Sequence, residues 1–134
     1  MDDEAVSVAG FGFREGATAA CLLAALNEAI QQASQPVELT AVATAWDKST
    51  TPEFIRFAAN LDLPIVAVSA EALQRQPAQA SDHVPTRYGH HSLAEAAALA
   101  AAGAGAQLLA PRCVSPDRLA TAAIAFLPDP SPSS

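Results

Sequence analysis

Gly10-Phe11-Gly12-Phe13-Arg14-Glu15-Gly16 is the stretch on which the fold turns. It follows the apolar run Ala5 to Ala9, and residues 5–11 together read as a buried first strand. It precedes Thr18 and an alanine-rich run to Ala33, which reads as a helix. Glycines between a strand and a helix let the backbone turn sharply and come close to a ligand. The free N–H groups at the start of that helix favour an anion, and Arg14 adds a positive charge within the turn. Gly10, Gly12, Arg14, Gly16 and Thr18 are therefore candidate ligand-binding residues. The spacing is G-x-G-x-x-x-G, one residue longer than a dinucleotide fingerprint. The acid that such a fingerprint needs near the end of the second strand is also misplaced, because Glu38 falls at that strand's start. A tight turn without a ligand and a carboxylate-binding edge both remain open on this spacing.

The chain continues as alternating strands and helices. Ser34-Gln35-Pro36 ends the first helix, and Val37–Thr44 reads as strand two. Ala45 to Thr51 is a loop. Thr51 and Pro52 mark the cap and first position of a helix that runs Glu53–Leu61. Ile65–Val68 reads as strand three, and Ser69–Leu73 as a short capped helix. Residues 75–89 carry Pro77 and Pro85 with few large hydrophobes and read as the longest irregular segment, a candidate lid. Ser92 and Glu95 fit a capping box for a helix that runs to about Ala102, where Gly103 stops it. Gln107–Ala110 reads as strand four, 112–118 as a loop and Leu119–Phe126 as strand five. The expected domain spans 1–127, with a Pro/Ser-rich disordered tail at 128–134.

Alternation of this kind implies an α/β sheet covered on both faces. The first three strands should be parallel, joined by right-handed crossovers. The short connection between strands four and five favours an antiparallel pair. The expected fold is a three-layer α/β/α sandwich with a mixed, mostly parallel sheet of about five strands.

The totals narrow the chemistry. The chain has 134 residues, 51% hydrophobic but only 5% aromatic, so close packing of small side chains is expected. Its net charge of −7, from 14 acids against 7 bases, argues against nucleic acid as a partner. An acidic start at Asp2-Asp3-Glu4 is unlike a signal peptide, and no apolar stretch is long enough to cross a bilayer, so no membrane partner and a cytoplasmic location are expected. Cys21 and Cys113 lack a C-x-x-C partner and read as free thiols.

Lys48, the single lysine, lies just past strand two and so shares the carboxyl edge of the sheet with the glycine turn, where such sheets bind ligands. Beside it, Trp46 is suited either to stack on a planar ligand or to pack on the core. The histidines are His83, His90 and His91; adjacent His90 and His91 cannot aim at one metal from a regular helix, and no zinc spacing is present. No metal and no cofactor are expected. His90, Ser92 and Glu95 remain candidate ligand contacts. No catalytic dyad or triad is recognisable.

Four blocks in order resemble the family of CobE and the C-terminal domain of CbiG. Gly10 to Gly16 with Thr18 resembles its G-x-G-x-R-x-G opening. Thr44 to Pro52 resembles its T-[IL]-D-x-K-x-x-E-P block. Ser92 to Leu99 is similar to S-V-A-E-A-A-A-L, and Thr121 to Ala125 to T-V-A-I-A. In the second block Lys48 and Pro52 match, whereas Trp46 and Thr51 stand where the family has acids. The resemblance implies cobalamin biosynthesis and a precorrin or corrinoid ligand: flat, apolar at the centre and ringed with carboxylates. The stand-alone form implies an accessory or carrier protein, with other pathway enzymes as partners. The alternatives are a precorrin hydrolase, which opens a lactone and releases acetaldehyde, and a ligand-free interaction module.

Overall fold

In a computed structural model, residues 6–33, 37–74, 93–103 and 105–127 are described. The elements run β1 (Val6–Phe13), α1 (Ala19–Gln32), β2 (Ala41–Ala45), α2 (Pro52–Leu61), β3 (Ile65–Val68), α3 (Ala70–Gln74), α4 (Leu93–Ala102), β4 (Gln107–Val114) and β5 (Ala120–Leu127). The candidate lid at 75–89, the three histidines, Ser92 and the tail at 128–134 lie outside the described residues.

The strands form one sheet in the order β3-β2-β1-β5-β4. β1 pairs parallel with β2, and β2 with β3. β5 pairs antiparallel with both β1 and β4. Four strands thus point the same way and β5 alone runs against them, which is the mixed, mostly parallel sheet that the alternation implies. β1 occupies the middle of this sheet.

Side chains alternate across a strand, and β1 divides its own between two cores. Ala9 and Phe11 pack with α1 and α2 in a cluster that holds Leu22, Leu26, Phe54 and Phe57. Val8 packs on the opposite face with α3 and α4, in a cluster built largely of alanine. The sheet is therefore covered on both faces, as a three-layer sandwich.

Phe11 is edge-on to Phe57 at 5.0 Å and to Phe54 at 5.7 Å, while Phe13 stacks on Phe54 at 5.6 Å. Rings at these separations gain beyond their area burial. On the other face Gly10 lies under α4. A Cβ at Gly10 would enter the backbone of α4, against the carbonyl oxygen of Ala94 and the N and Cα of Ala98. Small residues on both elements let the helix sit directly on the sheet.

The helix boundaries follow local signals. Thr18 caps α1 in an extended conformation, its Oγ1 accepting from Cys21 N at 3.2 Å. Pro52 opens α2, and left-handed Asp62 (φ 61°) closes it by donating its N–H to Ala58 and Ala59. Gly103 (φ 114°) stops α4, donating to the Leu99 carbonyl at 3.1 Å.

Strand ends differ from expectation for tertiary reasons. β1 continues to Phe13 rather than ending at Phe11, because β5 supplies pairing as far as Phe13↔Ala120. β2 begins at Ala41 rather than Val37, its register with β1 starting at Val8↔Ala41. β4 runs through Pro111 to Val114 rather than stopping at Ala110. As an edge strand with register shifts between Leu108 and Cys113, it tolerates a residue that lacks an N–H. No described helix is long and apolar enough to cross a membrane.

Candidate functional site

Four strands end at one edge of the sheet, and the β4–β5 hairpin turns at the same edge beside the end of β1. Ligand sites in α/β sheets gather at such carboxyl ends. Two adjoining clefts open there and share Phe13, Arg14 and Lys48.

The larger cleft, about 600 Å³, has mixed charge: Arg14 and Lys48 face Glu15, Asp47 and Glu53. Gly16 and Thr18 also line it. Gly16 holds a φ of 95°, which glycine adopts without strain. The start of α1 is engaged by the protein itself. Glu53 Oε1 accepts from Ala19 N at 2.9 Å, and Thr18 Oγ1 takes Cys21 N. A carboxylate from α2 therefore sits where the sequence invites an external anion.

The smaller cleft, about 350 Å³, carries Arg14, Lys48, Arg112 and Arg118, and no Asp or Glu is among the described residues that line it. Gly12 and Leu93 are in its wall. Arg112 lies near the end of β4, and Arg118 in the turn that joins β4 to β5. From sequence alone 112–118 reads as a connecting loop, which hides both arginines. The available signal was an arginine on each side of a Ser-Pro-Asp turn. Among the described residues, none of the three guanidinium groups has a hydrogen-bond or ion-pair partner. Lys48 is held in place: Nζ donates to the Phe13 carbonyl at 3.0 Å and lies 5.2 Å from the centre of the Phe13 ring.

The remaining candidates are distributed around these clefts. Gly10 and Glu95 line neither of them, nor does Trp46. Gly10 is under α4, as described. Trp46 follows β2, is 56% exposed, and donates its backbone N–H to Val68 O at 2.8 Å. Glu95, on α4, accepts the Arg112 backbone N–H at 3.0 Å and so secures the strand that carries one of the cleft arginines. His90 and Ser92 fall outside the described residues.

The hairpin tip has its own hydrogen-bond network. Asp117 Oδ1 accepts from Ser115 Oγ at 2.6 Å and Leu119 N at 3.1 Å. Asp117 Oδ2 accepts from the Cys21 thiol on α1 at 2.8 Å. The bond from Cys21, then those from Ser115 and Leu119, pull the Asp117 carboxyl down to about 2 from its ordinary range. Cys113 differs: burial, then the charges of Glu28 and Glu95, push its thiol up, away from the reactive thiolate.

Residues 7–125 match the family model described as "Cobalamin synthesis G C-terminus". Among solved structures, CobE, a protein from the cobalamin (vitamin B12) biosynthetic pathway, is 29% identical. It aligns over 95% of this chain and 94% of its own with a TM-score of 0.75. The cobalamin biosynthesis protein chiG from Agrobacterium tumefaciens is 38% identical over 92% of this chain and 100% of its own, with a TM-score of 0.72. A candidate cobalamin biosynthesis protein G homolog from Sulfolobus solfataricus shares the fold at 15% identity and a TM-score of 0.64, with 90% of this chain covering 36% of that one. No curated protein sequence matches the chain.

Proposed function

The chain belongs to the cobalamin synthesis G C-terminus family, which makes it a cobalamin biosynthesis protein, and from that premise we propose that it binds a precorrin or related corrin intermediate and carries it between pathway enzymes. One observation supports this reading above the others. The chain has 7 basic residues and a net charge of −7, yet Arg14, Lys48, Arg112 and Arg118 meet in one cleft. Four like charges repel one another in the free protein, and an anion with several carboxylates relieves that repulsion.

The chemistry of a corrin precursor fits these walls. Its rim of carboxylates suits guanidinium forks, which bind carboxylate in two parallel hydrogen bonds. Its apolar ring suits Phe13, Leu93 and Leu119 beside those cations. Exposed Trp46, two residues before Lys48, adds an aromatic face next to the edge. The acids of the larger cleft repel a carboxylate and so favour one orientation of the ring.

Absorbance titration with a carboxylated corrinoid tests the proposal. Arg14→Ala and Lys48→Ala should each weaken binding by about tenfold, the loss of one charge-assisted contact. Binding should also weaken as salt rises, since these groups face solvent. A wild-type protein that shows no corrinoid binding at micromolar concentration overturns the reading.

A further inference from the structure

Two described residues other than glycine hold a positive φ, Asp62 and Arg118. Asp62 closes a helix, where that conformation is common. Arg118, at φ 64°, sits in the hairpin tip between β4 and β5, in a conformation that glycine adopts freely and an L-arginine rarely does. Strained backbone of this kind persists only where its surroundings over-determine it, and it gathers at binding sites.

The surroundings here do over-determine it. Arg118 N donates to Ser115 O at 2.8 Å, and Ser115 N to Ala120 O at 2.8 Å, closing the turn on both sides. Ser115 Oγ accepts from Ala120 N at 3.2 Å while donating to Asp117. Asp117 reaches over Arg118 to take the N–H of Leu119. Its second oxygen takes the Cys21 thiol, 96 residues away in sequence and part of α1. Thr18 Oγ1 in turn donates to Cys21 Sγ at 3.3 Å. A chain of hydrogen bonds therefore runs from the cap of α1, next to the turn that carries Arg14, to the hairpin that carries Arg118.

We propose that Asp117 is a positioning residue, which holds Arg118 in its left-handed conformation and in register with Arg14 across the cationic cleft. Glycine at 118 satisfies the backbone better than arginine does. What the arginine adds is its guanidinium in the cleft, obtained at the expense of stability. The inference rests on the reading of that cleft as a carboxylate site, and its test separates the two.

The probe is uroporphyrin, a tetrapyrrole ringed with carboxylates, titrated into the full chain, with thermal unfolding measured on the ligand-free protein. Arg118→Gly should weaken binding by about tenfold, one charge-assisted contact, while the unfolding midpoint stays level or rises. Asp117→Ala should also weaken binding, although removing a negative charge beside a cationic cleft would by itself tighten it. In the Arg118→Gly background the same change should alter affinity by less than about twofold, since positioning matters only when there is an arginine to position. Should Asp117→Ala fail to fold, Asp117→Ser, which is too short to reach both Leu119 N and the Cys21 thiol, is read the same way. Equal losses in both backgrounds, tighter binding by Asp117→Ala, or wild-type affinity in Arg118→Gly each overturn the inference. If the wild type binds no uroporphyrin, the carboxylate reading of the cleft falls, and the unfolding midpoints alone decide the positioning role. Asp117→Ala must then lower the midpoint more with arginine at 118 than with glycine, and equal falls overturn it.

Discussion

The two faces of β1 are packed by opposite means. Toward α1 and α2, Phe11 fills space against Phe54 and Phe57. Toward α4, Gly10 yields space, so that the helix backbone occupies the volume of a missing side chain. Both faces are closed, with Phe11 and Ala98 each fully buried. The contrast shows why a chain with few aromatics still forms a firm centre. Its phenylalanines are concentrated on one side, and the other side relies on alanine and glycine approaching closely. It also separates the roles within the glycine-rich stretch. Gly10 serves packing, Gly16 serves the turn, and Gly12 stands between, in the wall of the cationic cleft.

Substitutions at neighbouring positions test the contrast. Phe11→Ala should have the largest effect, about 3–5 kcal/mol of lost stability, from lost burial and the cavity left against Phe54 and Phe57. Its measure is the midpoint of urea unfolding at unchanged slope. Gly10→Ala should cost about 3 kcal/mol, the upper end of overpacking, because the obstacle is helix backbone and not a side chain that can rotate away. The two losses differ in kind: the first leaves room, the second demands it. A small apolar solute that fills cavities should therefore stabilise Phe11→Ala and leave Gly10→Ala unchanged. If Gly10→Ala is as stable as the wild type, α4 is free to lift from the sheet, and the second face is not close-packed.

The same division explains how much the sequence revealed. Signals confined to neighbouring residues were readable: the Thr18 cap, the Pro52 start, the Gly103 stop and the alternation that gives parallel β1, β2 and β3. Arg14 and Lys48 were legible as a pair because both follow parallel strands and so share an edge. Arg112 and Arg118 were not. They reach that edge only because β5 inserts beside β1, a pairing between segments about a hundred residues apart that no local pattern encodes. The left-handed conformation of Arg118 was equally hidden, since sequence rules assign it to glycine or asparagine. Gly10 has a role that its neighbours in sequence do not show. A glycine near a strand end suggests a turn or a ligand, and only the position of α4 shows that it makes room for a helix.

Gly12→Ala makes the finest test, since it lies two residues along the same face as Gly10. A Cβ there would stand 3.4 Å from the Leu93 side chain and 3.1 Å from Thr121 Oγ1. Both neighbours are side chains and can shift. The Thr121 hydroxyl donates to Gly12 O at 3.2 Å, so displacing it risks one hydrogen bond, worth about 1 kcal/mol. Alanine in a strand regains about 0.5–1 kcal/mol over glycine through a less mobile unfolded chain, which offsets most of that loss. The net change in stability should stay within about 1 kcal/mol, well below that of Gly10→Ala. Gly12 lines the cleft with the four cations, however, so the added methyl narrows it and should weaken tetrapyrrole binding. The glycines then divide by readout: position 10 moves the unfolding midpoint, and position 12 moves the affinity. If Gly12→Ala destabilises as much as Gly10→Ala, Leu93 is fixed as firmly as the helix backbone, and the close packing of α4 extends to the wall of the cleft.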